Sequence, residues 1–220
     1  MIAYIISYFM CLVKFLLSVL LFLYRISAMR NKKQINLDKP IVMVGLMGAG
    51  KTSVGRALAR NLGIQFVDSD KEIEKAAGCS VVDIFAMYGE KEFRRVEQKV
   101  IERILDTPPM IKVISTGEGA FITKSVRQTV LEKALTIWLK ADLELLVKRT
   151  NFRHTRPQLL NTDSRQILAQ LIKERYDTYA LADIMVETKD ENIHKTLNKV
   201  LSAIEKHKKT NKGEQNETVK

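Results

Sequence analysis

The chain has 220 residues, 46% hydrophobic and 28% charged, with a net charge of +11. That suits one soluble α/β domain with a sizeable core, and argues against a disordered or disulfide-framework protein, since there are two cysteines, Cys11 and Cys79. The charge is no nucleic-acid signature: residues 1–39 carry net +5 and residues 206–220 net +3, which leaves only +3 to everything between.

Residues 2–24 are almost wholly apolar, with Lys14 their only charge, and Arg25, Arg30, Lys32 and Lys33 follow. The run is long enough to span a bilayer with the basic side inward, but a central lysine is costly there. It lacks the basic start of a cleavable signal. Three readings stay open: a start codon placed too early, with Met29 the true start, a membrane anchor, or a packed helix. The first is preferred. Residues 1–37 are therefore set apart as an N-terminal extension, and a membrane enters only if the apolar segment is real. Otherwise the low cysteine usage points to a reducing compartment, and the cytoplasm is the expected location.

The predicted domain, residues 38–207, opens on an apolar strand at 41–45. It runs into Gly45-Leu46-Met47-Gly48-Ala49-Gly50-Lys51-Thr52, a complete Gly-x-x-x-x-Gly-Lys-Thr loop, and then into a helix over Ser53–Asn61. Strand, glycine turn and helix together aim backbone N–H groups and a positive helix end at phosphate oxygens. Gly48, Ala49, Gly50, Lys51, Thr52 and Ser53 are the predicted nucleotide contacts. Lys51 would reach the β- and γ-phosphates and Thr52 would hold Mg²⁺.

A second strand at 64–67 ends in Asp68-Ser69-Asp70. Ligands of open α/β sheets bind beyond the carboxyl ends of strands, so both carboxylates are expected to face the loop. Asp68 would organise Mg²⁺ through water, and Asp70 would orient and deprotonate an acceptor hydroxyl. The plainer reading of Asp70 is a cap for a helix starting near Lys71. Ser80 is expected to cap a helix through Met87, and Glu90–Leu105 continues with helical spacing. Strands are predicted at 111–115, 135–139 and 183–187, with helices at 123–134, 142–150, 164–180 and 190–208. Alternating strands and helices predict a parallel sheet covered on both faces. The polar stretch 150–165 breaks the pattern and reads as a mobile lid over the triphosphate. Residues 208–220 read as a disordered tail. The three histidines stand far apart and argue against a structural metal.

Four arginines, Arg94, Arg149, Arg156 and Arg175, suit capture of carboxylate or phosphate. With them the motif series is Gly45–Thr52, Asp68-Ser69-Asp70, Gly89-Glu90 with Phe93-Arg94 and Glu97, Thr116-Gly117-x-Gly119-Ala120, Arg156-Pro157, and Glu174-Arg175-Tyr176 with Tyr179. In order and spacing this series resembles shikimate kinase, a small phosphate-loop kinase of aromatic amino-acid biosynthesis, over roughly residues 38–205. The resemblance implies a three-layer, nucleoside-monophosphate-kinase-like fold with five parallel strands in the order 2-3-1-4-5. It implies transfer of the ATP γ-phosphoryl group to the 3-hydroxyl of shikimate, with one Mg²⁺, in a monomer. By position, it makes Lys51, Asp70 and Arg156 catalytic. Arg94 and Arg175 would hold the acceptor carboxylate. Arg156 would reach the ATP phosphates from the lid, and Arg149 would lie near the adenine. Gly117, Glu118 and Gly119 would line the acceptor.

Three departures stand out, one being that Asp190 and its neighbours offer no evident cation for the adenine. The lid reads Arg156-Pro157-Gln158-Leu159-Leu160 where many relatives have Arg-Pro-Leu-Leu. The family's triple glycine is here Gly117-Glu118-Gly119. A glutamate can still offer its backbone N–H, but a side chain turned inward would repel an anionic acceptor. On that ground, Glu118→Gly is expected to preserve or improve kcat/KM for shikimate. Glu118 also motivates two alternatives: a related kinase for another hydroxy acid such as gluconate and, with the apolar N-terminus, a membrane-tethered nucleotide-binding protein with little kinase activity.

Overall fold

The computed structural model describes residues 35–150 and 164–217, all but the first of them in the unit that begins at Asn36. The lid residues 151–163, Arg156 among them, and the N-terminal segment 1–34 lie outside the described residues. Among the described residues no helix is long and apolar enough to cross a membrane.

Five parallel strands form one sheet in the order β2-β3-β1-β4-β5. They are β1 (Ile41–Val44), β2 (Gln65–Asp68), β3 (Lys112–Ser115), β4 (Leu135–Ala141) and β5 (Ile184–Thr188). Every residue of β1 and β3 is buried, as expected of central strands covered on both faces. The helices are α1 (Lys51–Leu62), α2 (Ser69–Ala77), α3 (Val81–Asp106), α4 (Lys124–Lys133), α5 (Leu143–Thr150), α6 (Ser164–Tyr179) and α7 (Ile193–Glu217).

Three local features position the site. The first is register: Met43 lies opposite Ser115, and Ser115 opposite Asp68, so β1, β2 and β3 deliver their carboxyl ends to one place. The second is the start of α1. Its N-cap is Gly50, at φ 100°, with no side-chain cap and no acidic residue in the first turn. That conformation favours glycine, and it leaves the first backbone N–H groups of the helix available to an anion. The third is a break in α3 at Gly89 (φ 75°, ψ 174°). It divides the span much as the sequence divided it, and the second half brings Phe93, Glu97 and Val100 inward.

Ser80 caps α3 in a reciprocal box with Asp83: Asp83 N donates to Ser80 Oγ at 3.1 Å, and Ser80 N donates to Asp83 Oδ2 at 3.2 Å. One expectation is corrected. Asp70 is not a helix cap, because α2 begins at Ser69 with Asp68 at the N-cap position, which puts Asp70 in the first turn. Helix α7 is described as far as Glu217. Lys208 pairs with Asp38 at 3.2 Å, and lysine, glutamate and glutamine are good helix formers whose polarity does not forbid extension.

Candidate active site

A cavity of about 610 Å³ lies beyond the carboxyl ends of the strands, bounded by the glycine loop, Asp68, Asp70, Ser115 and Arg149. At its phosphate end Lys51 is buried. Its Nζ donates to Gly45 O at 2.8 Å and Leu46 O at 3.0 Å, which holds the ammonium within the curl of the loop. Arg149, on α5, donates to Gly48 O at 3.3 Å and to Lys189 O at 3.0 Å. It thus ties the glycine loop to the turn after β5. That end of the cavity is lined by Thr188, Glu191, Ile193 and Thr196, none of which the sequence singled out.

Beside Lys51 is a cluster of oxygen donors. Thr52 Oγ1 donates to Asp68 Oδ2 at 3.2 Å and lies 3.2 Å from Ser115 Oγ. Two hydroxyls and a carboxylate at the mouth of a phosphate loop fit a hard cation such as Mg²⁺, which keeps several waters and takes few protein ligands. Ser115 was missed in the sequence. Its only signal was a small polar residue closing an apolar strand just before Thr116-Gly117.

The acceptor side is built around the loop 117–119. Asp70 lines the cavity, and Gly117 lies so close that a Cβ there would sit 2.7 Å from Asp70 Oδ1. Arg94 Nη1 donates to Glu97 Oε2 at 2.7 Å, and Glu90 lies 3.3 Å from Arg94 Nη2 on the solvent side. The guanidinium packs flat against Gly119, where a Cβ would meet Nη2 at 2.3 Å, and it also lies 6.0 Å from the Phe85 ring centre. Burial opposes the Arg94 charge, but Glu97 and Glu90 outweigh it and raise its pKa. Glu97 is fully buried. Burial raises the pKa of its carboxyl; Arg94 opposes this, while Asp70 and Glu118 add to it.

Glu118 is buried as well, with its side chain turned toward the phosphate loop. Met47 N donates to Glu118 Oε2 at 3.3 Å, and Arg175 Nη1 lies 3.6 Å from Glu118 Oε1. Tyr179, fully buried on α6, donates its hydroxyl to Glu118 O. Arg94 and Arg175 thus flank neighbouring residues of one loop. Two buried polar atoms, Glu97 Oε1 and Arg175 Nη1, find no hydrogen bond among the described residues. Buried polar atoms are normally satisfied; Arg175 Nη1 faces the Glu118 carboxylate across 3.6 Å, and Glu97 Oε1 faces Gly117, where a Cβ would sit 3.0 Å from it.

The cleft therefore has a glycine-loop cradle with buried Lys51, a cluster of hydroxyl and carboxylate oxygens, and Asp70 on its wall, while Glu118 links Met47 of the loop to Arg175. A family model described as shikimate kinase matches residues 47–205. The chain belongs to the shikimate kinase family. The shikimate kinase of Paramagnetospirillum magneticum is 49% identical over 168 residues, covering 76% of this chain and 85% of that protein. That of Rhizobium meliloti is 44% identical over 182 residues, covering 83% of this chain and 93% of that one. The solved shikimate kinase from Acinetobacter baumannii in complex with shikimate superposes with a TM-score of 0.73 at 35% identity. It covers 78% of this chain and 96% of that one. A shikimate kinase is an ATP-dependent phosphotransferase, and its expected five-stranded, parallel, phosphate-loop fold is the one found here. The gluconate reading is set aside; the apolar segment that motivated the tethered-protein reading lies outside the described residues.

Proposed function

We propose that this chain phosphorylates the 3-hydroxyl of shikimate with ATP, yielding shikimate 3-phosphate and ADP on the route to chorismate and the aromatic amino acids. The observation that carries this reading is the pairing of a complete phosphate loop with Asp70 in one cleft, beside the loop 117–119 that Arg94 and Arg175 contact.

ATP lays its β- and γ-phosphates in the curl of Gly48–Thr52, under the bare N-terminus of α1. Lys51 and Ser53 belong to the same cradle, and Arg149 steadies it from α5. Thr52, and Asp68 through water, would hold Mg²⁺, with Ser115 beside them. A divalent cation held there would supply neutralisation of phosphate charge. Arg94 and Arg175 take the acceptor carboxylate, since a guanidinium fork matches a carboxylate's two oxygens. Anchored there, the ring is placed so that Asp70 accepts the proton of the attacking hydroxyl. Gly117 and Gly119 allow this approach because neither presents a Cβ to Asp70 or Arg94. Arg156, outside the described residues, is assigned the transferring phosphoryl group by the family resemblance alone. Positioning and charge supply most of the rate in such reactions. The protein acts in the cytoplasm as a monomer in this reading; the sparse cysteine usage supports the reducing compartment only.

Phosphorus NMR of the product formed by the full chain from ATP, Mg²⁺ and shikimate tests the assignment. A single phosphomonoester at the 3-position is expected. Phosphate at another hydroxyl, or no phosphorylated acceptor, contradicts it.

A further inference from the structure

Glu118 replaces the glycine expected between Gly117 and Gly119, and its carboxylate reaches two parts of the cleft at once. One oxygen accepts from Met47 N, inside the phosphate loop; the other faces Arg175 on α6. The backbone beneath is fixed separately, because Tyr179 donates to Glu118 O. Glu118, Met47 and Tyr179 are all buried, so these contacts persist with little competition from water. The side chain is thus committed sideways, to the protein, and the concern that it would point at an anionic acceptor does not apply to this arrangement.

We infer that Glu118 is a positioning residue: a carboxylate strut that holds the Arg175 guanidinium in place for the acceptor and ties that arginine to the phosphate loop. A guanidinium has five donors. Engaging one edge with Glu118 leaves the rest for an incoming carboxylate while restricting the arginine's rotamers, and preorganisation of this kind lowers the ordering cost of binding. In a glycine-centred loop no side chain could play this part, so the device belongs to the substitution itself. The inference rests on shikimate being the acceptor. It also reverses the expectation drawn from sequence for Glu118→Gly, because the lost contact is a restraint rather than a repulsion.

Steady-state kinetics of the full chain test it, varying shikimate and ATP separately. Glu118→Gly is expected to raise KM for shikimate about fivefold, with KM for ATP changed less than twofold. The loss should shrink below twofold when the variant is made in an Arg175→Lys background, a coupling that general loosening of the fold would not produce. Glu118→Gln keeps an acceptor for Met47 N–H but removes the charge facing Arg175, and is expected to raise KM for shikimate more than twofold on its own. Should Glu118→Gly fail to fold, Glu118→Gln decides. A KM for shikimate that falls, or rises less than twofold, in the folded variant overturns the strut. So does an equal loss in the Arg175→Lys background. Wild-type protein that fails to turn over shikimate would instead sink the activity assignment, so the two failures are distinguishable.

Discussion

The guanidinium of Arg94 lies flat against Gly119, so close that a methyl group added there would sit 2.3 Å from Nη2 and 2.5 Å from the guanidinium carbon. Gly119 does not use a left-handed backbone conformation, so alanine is acceptable to the chain itself. What must move is the flexible end of Arg94. Gly119→Ala should therefore fold and yet displace an acceptor cation. Misplacement of about 1 Å can cost about 10²-fold in rate, so kcat/KM for shikimate is expected to fall by about that factor with KM for ATP little changed. Equal losses for both substrates would show that the loop serves the nucleotide instead.

Asp70 is assigned the proton transfer. Asparagine preserves its size and one acceptor oxygen but cannot take a proton at neutral pH. Asp70→Asn should lower kcat by about 10²–10⁴-fold, the usual contribution of a general base, with nucleotide affinity nearly unchanged. Stopped-flow binding of a fluorescent ATP analogue measures the second part. A variant that retains wild-type kcat would remove Asp70 from the chemistry.

Ser115 stands 3.2 Å from Thr52 Oγ1, at the proposed cation seat. Ser115→Ala deletes one hydroxyl from the cluster, and a hydrogen bond of about 1 kcal/mol corresponds to about fivefold. The Mg²⁺ concentration for half-maximal activity should rise by about that factor, while KM for shikimate stays put. Titration of Mg²⁺ at saturating ATP checks this, and an unchanged midpoint would place the ion's ligands elsewhere.

Glu97 carries a testable pH signature. Its carboxyl is raised above the ordinary value of 4.5, chiefly by burial. A raised carboxyl binds its proton more tightly in the folded state, so its contribution to stability is most favourable below pH 4.5. That contribution declines as pH rises through the folded-state value. Glu97→Gln removes the titration. The melting temperature of the variant minus that of wild type should be more positive at pH 8 than at pH 5. The opposite trend would mean that Arg94 overcompensates the burial of Glu97.

Sequence legibility divided along physical lines. The glycine loop, the five strands and the break at Gly89 were readable because they depend on local chemistry: apolar runs, glycine turns and the Ser80 cap. Asp68 and Asp70 line the cavity with the glycine loop because a strand end fixes where its next residues go. Ser115 escaped notice because its role comes from lying opposite Asp68 across two paired strands, a relation between distant parts of the chain. Thr188 and Glu191 escaped for a similar reason. Glu118 was seen as a departure, but the direction of its side chain depends on Met47 and Arg175, which only the folded chain brings to it.

The central claim is that the phosphate loop serves a shikimate acceptor held across from it. Its most direct test is ADP release by the full chain with ATP and Mg²⁺, measured with and without shikimate, beside Asp70→Asn. Release that depends on shikimate in wild type and falls at least about 10²-fold in the variant is the predicted result. Release that shikimate does not stimulate, or that survives in Asp70→Asn, would contradict the account.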